Sequence, residues 1–181
     1  MEQKFCGVCA SPTEIRVPEG DHLPRRMCPQ CGTIHYENPR VVVGCVAEFE
    51  TRLLICRRAI EPRRGYWTLP AGFLENGETL EAGAARECRE EAMATVEIGG
   101  LLMLANVPPA RQVHVFFRAR LAVPEFGAGP ESLDVRLVDA AQIPWEDLAF
   151  PSNRCALEAL LADRAAGREG THLVTVTRSF T

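Results

Sequence analysis

The chain has 181 residues, 46% hydrophobic and 24% charged, which excludes a disordered, collagenous or coiled-coil protein and suits one soluble core with a small appendage. Twenty Lys and Arg against 24 Asp and Glu give a formal charge of −4, without the electrostatic footprint of a general nucleic-acid binder. No apolar run approaches the roughly 20 residues that span a bilayer, and Met1-Glu2-Gln3-Lys4-Phe5-Cys6 has no signal-peptide core, so a cytoplasmic location without membrane contact is expected.

In chain order, residues 1–35 read as a separate unit. Cys6-Gly7-Val8-Cys9 and Cys28-Pro29-Gln30-Cys31-Gly32 are two knuckles separated by eighteen residues rich in Pro, Gly and charge. Such a stretch cannot bury enough apolar surface to fold alone, so something must staple it. The spacing C-x2-C-x18-C-x2-C can place four thiolates on one tetrahedral zinc, and a closed four-sulfur shell makes that metal structural, not catalytic. Two redox pairs without helical context, or four unligated core cysteines, are the weaker alternatives. Asn38-Pro39 then acts as a stop.

From Val41 onward, residues 36–181 read as the main domain. Val41 to Phe49 and Leu53 to Arg58 suggest a strand pair. Residues 59–77, with three Gly and two Pro among them, suggest a long punctuated loop. Thr79 to Ala94 has helix composition. Leu101 to Asn106, Gln112 to Val123 and Leu133 to Val138 have strand character, with Val113, Val115, Phe117, Ala119 and Leu121 on one face. Gly127-Ala128-Gly129-Pro130 is a turn-rich loop. Residues 151–166 suggest a second helix with Ser152 as N-cap and Gly167 as stop, and His172 to Thr177 a last short strand.

The chemistry concentrates in one segment. Glu87, Glu90 and Glu91 fall at i, i+3 and i+4, which gathers three carboxylates on one helical face. A solvated acidic face is the plain explanation; a cation that neutralises the like charges is the functional one, and hard oxygen donors suit Mg²⁺ or Mn²⁺. Arg86, four residues before Glu90, can hold that carboxylate. The loop before the helix can bring Glu78 and backbone groups to the same place.

The full pattern Gly72-x5-Glu78-x7-Arg86-Glu87-x2-Glu90-Glu91 resembles the box of the Nudix hydrolases, G-x5-E-x7-R-E-U-x-E-E-x-G-U, where U is aliphatic. Met93 departs from the family glycine, and Cys88 and Ala94 fill the aliphatic positions. The four-cysteine unit, Ile34-His35-Tyr36-Glu37-Asn38-Pro39-Arg40-Val41-Val42-Val43-Gly44, Tyr66-Trp67-Thr68-Leu69-Pro70-Ala71-Gly72, Glu131-Ser132-Leu133 and Leu148-Ala149-Phe150-Pro151-Ser152 look like the short zinc-ribbon members, associated with FAD and ADP-ribose pyrophosphatase activity. The resemblance implies an α/β protein, a Nudix α/β/α sandwich with a mixed sheet, preceded by a small zinc ribbon, and a homodimer.

It further implies hydrolysis of a pyrophosphate bond in a nucleotide derivative. Glu87, Glu90, Glu91 and the Ala71 carbonyl would hold Mg²⁺ or Mn²⁺, with Glu78 assisting and Arg86 orienting Glu90. Glu131 matches a position that supplies an extra carboxylate in zinc-ribbon relatives; it is either the general base or an ordinary strand-entry residue, and a box glutamate could serve instead. Cys6, Cys9, Cys28 and Cys31 would hold Zn²⁺. For substrate binding, Arg57 and Arg63, with Arg58 and Arg64 beside them, could meet phosphates, and Trp67 could stack on a ring, packing being its alternative. Tyr36, Phe116 and Phe117 read as core, His114 as structural, and Cys45, Cys56 and Cys155 as buried hydrophobes. Two readings compete with an FAD or ADP-ribose pyrophosphatase: an NADH pyrophosphatase or NAD-capped RNA decapping enzyme, whose Ser-Gln-Pro-Trp-Pro-Phe-Pro-type signature is missing here, and a catalytically retired ligand- or nucleic-acid-binding module, for which Arg25-Arg26 beside the second knuckle is the basic feature.

Overall fold

The computed structural model describes residues 3–177; the outermost ends of the expected domains, residues 1–2 and 178–181, lie outside the described residues. The chain divides into two compact units, Met1–Asn38 and Pro39–Thr181. That division lies three residues past the boundary read from the sequence. One cause is Tyr36, which keeps company with the first unit: the Arg25 guanidinium sits 5.4 Å from its ring centroid.

The first unit is a three-stranded antiparallel sheet, β1 (Glu14–Arg16), β2 (Arg25–Met27) and β3 (Ile34–His35), in that spatial order. Each knuckle is a tight turn, closed by Ala10 N–H to Cys6 O and by Gly32 N–H to Cys28 O, both 2.9 Å. Only Cys6, Pro18 and Cys28 are buried among its described residues, so the unit has almost no apolar core. Tyr36, expected in the core, is 64% exposed.

The second unit is a mixed sheet between two helices. The strands are β4 (Arg40–Phe49), β5 (Arg52–Arg58), β6 (Trp67–Thr68), β7 (Ala71–Phe73), β8 (Val96–Val107), β9 (Gln112–Leu121), β10 (Ser132–Val138) and β11 (His172–Thr175). The sheet runs β10-β5-β4-β9-β8-β11, with β6 paired to β5 and β7 to β4. The β4–β9 and β8–β11 pairs are parallel and the others antiparallel. Period-2 alternation divides the core between the two faces. Val43, Cys45, Leu54, Cys56, Val115 and Phe117 pack with Ala84, Cys88 and Ala92 of helix α1 (Leu80–Ala92). Val46, Leu53, Ile55 and Phe116 pack on the opposite face with Ala156, Leu157 and Leu160 of helix α2 (Pro151–Ala166). This is the α/β/α sandwich with mixed sheet that the sequence implied.

Four local expectations change. The long loop 59–77 contains β6 and β7, two pieces too short to show periodicity. Strand β8 starts at Val96, five residues before Leu101; Gly99 and Gly100 mask its strand composition where the ladder to β9 shifts register. Helix α1 ends at Ala92, because Met93 takes a left-handed conformation (φ 49°) and donates its N–H to Arg89 O. Ser152 is not the N-cap of α2. Phe150 holds that place, Pro151 opens the first turn, and the Ser152 hydroxyl is buried against His114 Nδ1 at 2.9 Å.

Asp163 of α2 ties the far side of the sheet together. Its carboxylate, 1% exposed, accepts from Gly170 N–H at 2.9 Å and from the Arg118 guanidinium, and sits 3.1 Å from His172 Nε2. The Gly170 N–H first, then His172 and Arg118, hold its carboxyl well below the usual carboxylate range. A depressed folded-state pKa stabilises the fold above the unfolded value of about 3.9 and ceases to do so as pH falls through the folded value. Asp163→Asn is therefore expected to lower stability in chemical denaturation at pH 7, with the gap to wild type closing below about pH 4. A gap that stays constant across that range contradicts the charge assignment.

Candidate active site and metal centres

Helix α1 begins with Thr79, whose Oγ1 accepts from Ala82 N–H at 3.2 Å. Ala84, Cys88 and Ala92 face the sheet, which leaves Glu87 and Glu91 on the flank at i and i+4, 8% and 5% exposed, with Glu90 in solvent. Strand β7 runs past this flank. Its Gly72 backs onto the Glu87 carboxylate, and a β-carbon at residue 72 would lie 2.4 Å from both carboxylate oxygens. Any larger residue there would force the Glu87 carboxylate out of its present position.

One guanidinium organises the acids. Arg86 grips Glu78 with two bonds, Nη2 to Oε1 at 2.8 Å and Nε to Oε2 at 3.1 Å. Its Nη1 donates to Glu87 Oε1 at 2.7 Å and Glu90 Oε2 at 3.1 Å, and its Nη2 also reaches Phe73 O at 3.0 Å. The Arg86 bonds, first of all, hold the Glu78 carboxyl down to about 2. Glu78 Oε1 in turn accepts from Glu75 N–H at 2.7 Å, which closes the loop before the helix. Arg86 thus meets three carboxylates and the β7 backbone, where the sequence suggested Glu90 alone.

For the two flank acids, burial outweighs such relief. Burial, followed by the charge of Glu87, pushes the Glu91 carboxyl up to about 8. Burial also raises Glu87, against the pull of Arg86. Glu91 Oε2 accepts from Ala71 N–H at 3.3 Å, so the backbone of Ala71 is at the site through its amide. Glu131 adds its negative charge to both acids. Glu87, Glu90, Glu91 and Glu131 line one cleft of about 750 Å³. Crowded carboxylates with two buried members fit a hard divalent cation, Mg²⁺ or Mn²⁺, better than zinc.

The remainder of the cleft differs from expectation. Among the described residues, Arg57, Arg63 and Trp67 are absent from its lining. At the end of β5, Arg57 is exposed, with its Nε donating to Gly65 O at 2.8 Å, while Arg58 lies buried on the face of Leu54 and Cys56. Arg63 lies over the Tyr66 ring at 5.1 Å. Trp67 is 8% exposed in the core with Arg136 over its ring, a packing role. Two cations line the cleft: Arg86, and Arg58, which is stacked 5.0 Å from the Phe150 ring centroid with Nε donating to Pro62 O at 2.9 Å. Asn153 and His114 are further wall residues. Burial pushes the His114 imidazole down to about 4, so it is neutral between Ser152 and Gln112, the structural histidine the sequence suggested. The sequence did not single out Arg58, because Leu53 to Cys56 are apolar on both faces of the strand. Phe150 and Asn153 carried no signal, since a distant helix start brings them in.

In the first unit, the Sγ atoms of Cys6, Cys9, Cys28 and Cys31 all lie within 4.8 Å of one another. Sulfur–sulfur distances are 3.4 Å for Cys9–Cys28, 3.5 Å for Cys9–Cys31 and 3.7 Å for Cys6–Cys31. A zinc–thiolate tetrahedron with bonds of about 2.3 Å has edges of about 3.8 Å, so the donor set fits zinc. Bonds from Thr33 lower the Cys31 thiol to about 6, toward the thiolate a metal needs.

Comparison with known proteins identifies this architecture. The family profile described as the NUDIX domain matches residues 38–160, and the one described as Nudix N-terminal matches residues 4–37. The chain belongs to the Nudix hydrolase family. A crystal structure of a NUDIX hydrolase from Nitrosomonas europaea shares 50% identity and a TM-score of 0.92, covering 96% of this chain and 98% of that one. The NAD-capped RNA hydrolase NudC of Stutzerimonas stutzeri is 31% identical over 90% of this chain, which spans 58% of that relative's length. The ADP-ribose pyrophosphatase of Methanocaldococcus jannaschii is 29% identical, covering 64% of this chain and 69% of its own.

Elemental analysis of the purified protein should find zinc equimolar with the chain, and Cys28→Ser should release it and unfold the N-terminal unit. Full zinc content in that variant contradicts a four-thiolate site.

Proposed function

We propose that the chain is a metal-dependent pyrophosphatase that cleaves FAD, ADP-ribose or a similar nucleoside diphosphate derivative into two monophosphates. The observation that carries this reading is the meeting of Glu87, Glu90, Glu91 and Glu131 in one cleft, with Arg86 holding two of them. Mg²⁺ or Mn²⁺ bound there supplies the positive charge that neutralises a diphosphate and lowers the pKa of water. Glu87, Glu90 and Glu91 are the ligands in this reading, and the Ala71 backbone borders them. Arg86 aims Glu87 and Glu90, while Glu78 fixes Arg86 and carries no proton at neutral pH.

Glu131 takes the proton of the attacking water, a box glutamate being the alternative base. The water oxygen bonds to one phosphorus, the bridging P–O bond breaks, and the departing monophosphate keeps the bridging oxygen. Arg58, the cleft cation that Arg86's carboxylate network leaves out, faces the negative substrate. The four-thiolate site suits the reducing cytoplasm, and a homodimer is the proposed assembly.

The NudC relatives favour a second reading, cleavage of NADH or of an NAD-capped RNA 5′ end. A product assay with FAD, ADP-ribose, NADH and NAD-capped RNA side by side separates the two. FMN plus AMP from FAD, or AMP plus ribose 5-phosphate from ADP-ribose, with slower NADH cleavage, is the expected result. Preferred cleavage of NADH or capped RNA overturns the substrate choice, and no cleavage of any of them overturns the enzymatic reading. Glu90→Gln should lower kcat by about 10²-fold or more with an unchanged melting temperature; near-normal turnover would misplace the metal site.

A further inference from the structure

The Gly127-Ala128-Gly129-Pro130 segment, read from sequence as a turn-rich loop, is docked on the end of the acidic helix. Gly127 N–H donates to Ala92 O at 2.8 Å and Gly129 N–H to Glu91 O at 3.0 Å. These are carbonyls of the last turn, which have no partner within the helix. The loop therefore completes the C-terminus of α1 from outside. Two residues further, Glu131 enters the cleft. Its backbone is pinned on both sides, by Ser132 N–H to Gly129 O at 3.0 Å and by Ala59 N–H to Glu131 O at 2.8 Å.

The docking has a steric requirement. Gly129 is buried, and a β-carbon there would lie 1.7 Å from Glu90 O, 2.8 Å from Glu90 C and 3.2 Å from Glu91 C. All three are backbone atoms of the turn that carries two of the cleft carboxylates, and no rotamer change relieves the clash. Any side chain must push the loop outward until the 1.7 Å contact opens to an ordinary van der Waals distance. At Gly127 the nearest atom to an added carbon is Met93 Sδ at 3.7 Å, an ordinary contact. The two glycines are alike in sequence and differ in what they touch.

We propose that Gly129 is a positioning residue: by lying against the Glu90–Glu91 peptide it fixes the separation between Glu131 and the box carboxylates. The inference rests on the functional reading above, in which Glu131 acts at the water. A misplacement of about 1 Å at a reacting group can cost about 10²-fold in rate.

The test combines a structural and a kinetic readout. In the zinc-loaded wild type without added Mg²⁺ or Mn²⁺, hydrogen exchange followed by NMR should show the Gly127 and Gly129 amides protected; rapid exchange at both overturns the docking without any variant. Gly129→Ala should lower kcat on ADP-ribose about 10²-fold, with KM within about twofold. Gly127→Ala should keep the wild-type kcat. In a Glu131→Gln background, Gly129→Ala should cost nothing further, because the position it sets no longer carries a base. Full multiplication of the two losses, or an unchanged kcat in Gly129→Ala, overturns the positioning role. A wild type with protected amides that cleaves no pyrophosphate overturns the functional reading, and the role of Gly129 with it.

Discussion

The second unit is built around the cost of placing acids together. Glu87 and Glu91 are nearly buried on one flank of α1, Glu90 stands beside them, and Glu131 arrives from another part of the chain. Arg86 touches two of these carboxylates, and it is itself locked by Glu78 and the Phe73 carbonyl. Burial above all, with the neighbouring acid charges added to it, raises the carboxyls of Glu87 and Glu91 despite the nearby guanidinium groups of Arg86 and Arg58. Strand β7 adapts to the same constraint by having glycine where Glu87 sits. The fold retains this unfavourable arrangement because its core is secured elsewhere, by the two hydrophobic layers on either side of the sheet.

The N-terminal unit solves the opposite problem. It has three short strands and almost no buried side chains, so apolar burial cannot hold it. Four thiols converge where the core is missing, and a metal held by them would make folding and metal binding one event. The two donor sets differ in kind: four soft thiols in the ribbon, hard carboxylate oxygens in the cleft.

Much of this was readable from residue order. The spacing of the cysteines, the i, i+3, i+4 glutamates and the period-2 face of β9 each follow from one local geometry, and each reappears in the structure. What escaped depended on distant partners. Arg58 and Arg57 are indistinguishable by composition, and both faces of β5 before them are buried, so only the walls of the cleft sort them. Phe150 and Asn153 reach the cleft from the start of α2, some 80 residues after Thr68, to which the Asn153 amide donates. Ser152 looks like a helix cap, and a buried histidine on β9 claims it instead. Short strands such as β6 and β7 have no period to detect, and Gly129 shows its meaning only against the carbonyl of Glu90.

The central claim is that the four carboxylates form a divalent-cation centre acting on a bridging diphosphate. A crystal structure of the Glu131→Gln variant with Mn²⁺ and ADP-ribose, using manganese anomalous scattering, tests it most directly. The account predicts manganese among the oxygens of Glu87, Glu90 and Glu91, with the diphosphate of the ligand against it and Arg58 facing the ligand. Manganese bound elsewhere, or a diphosphate seated away from these acids, would contradict it.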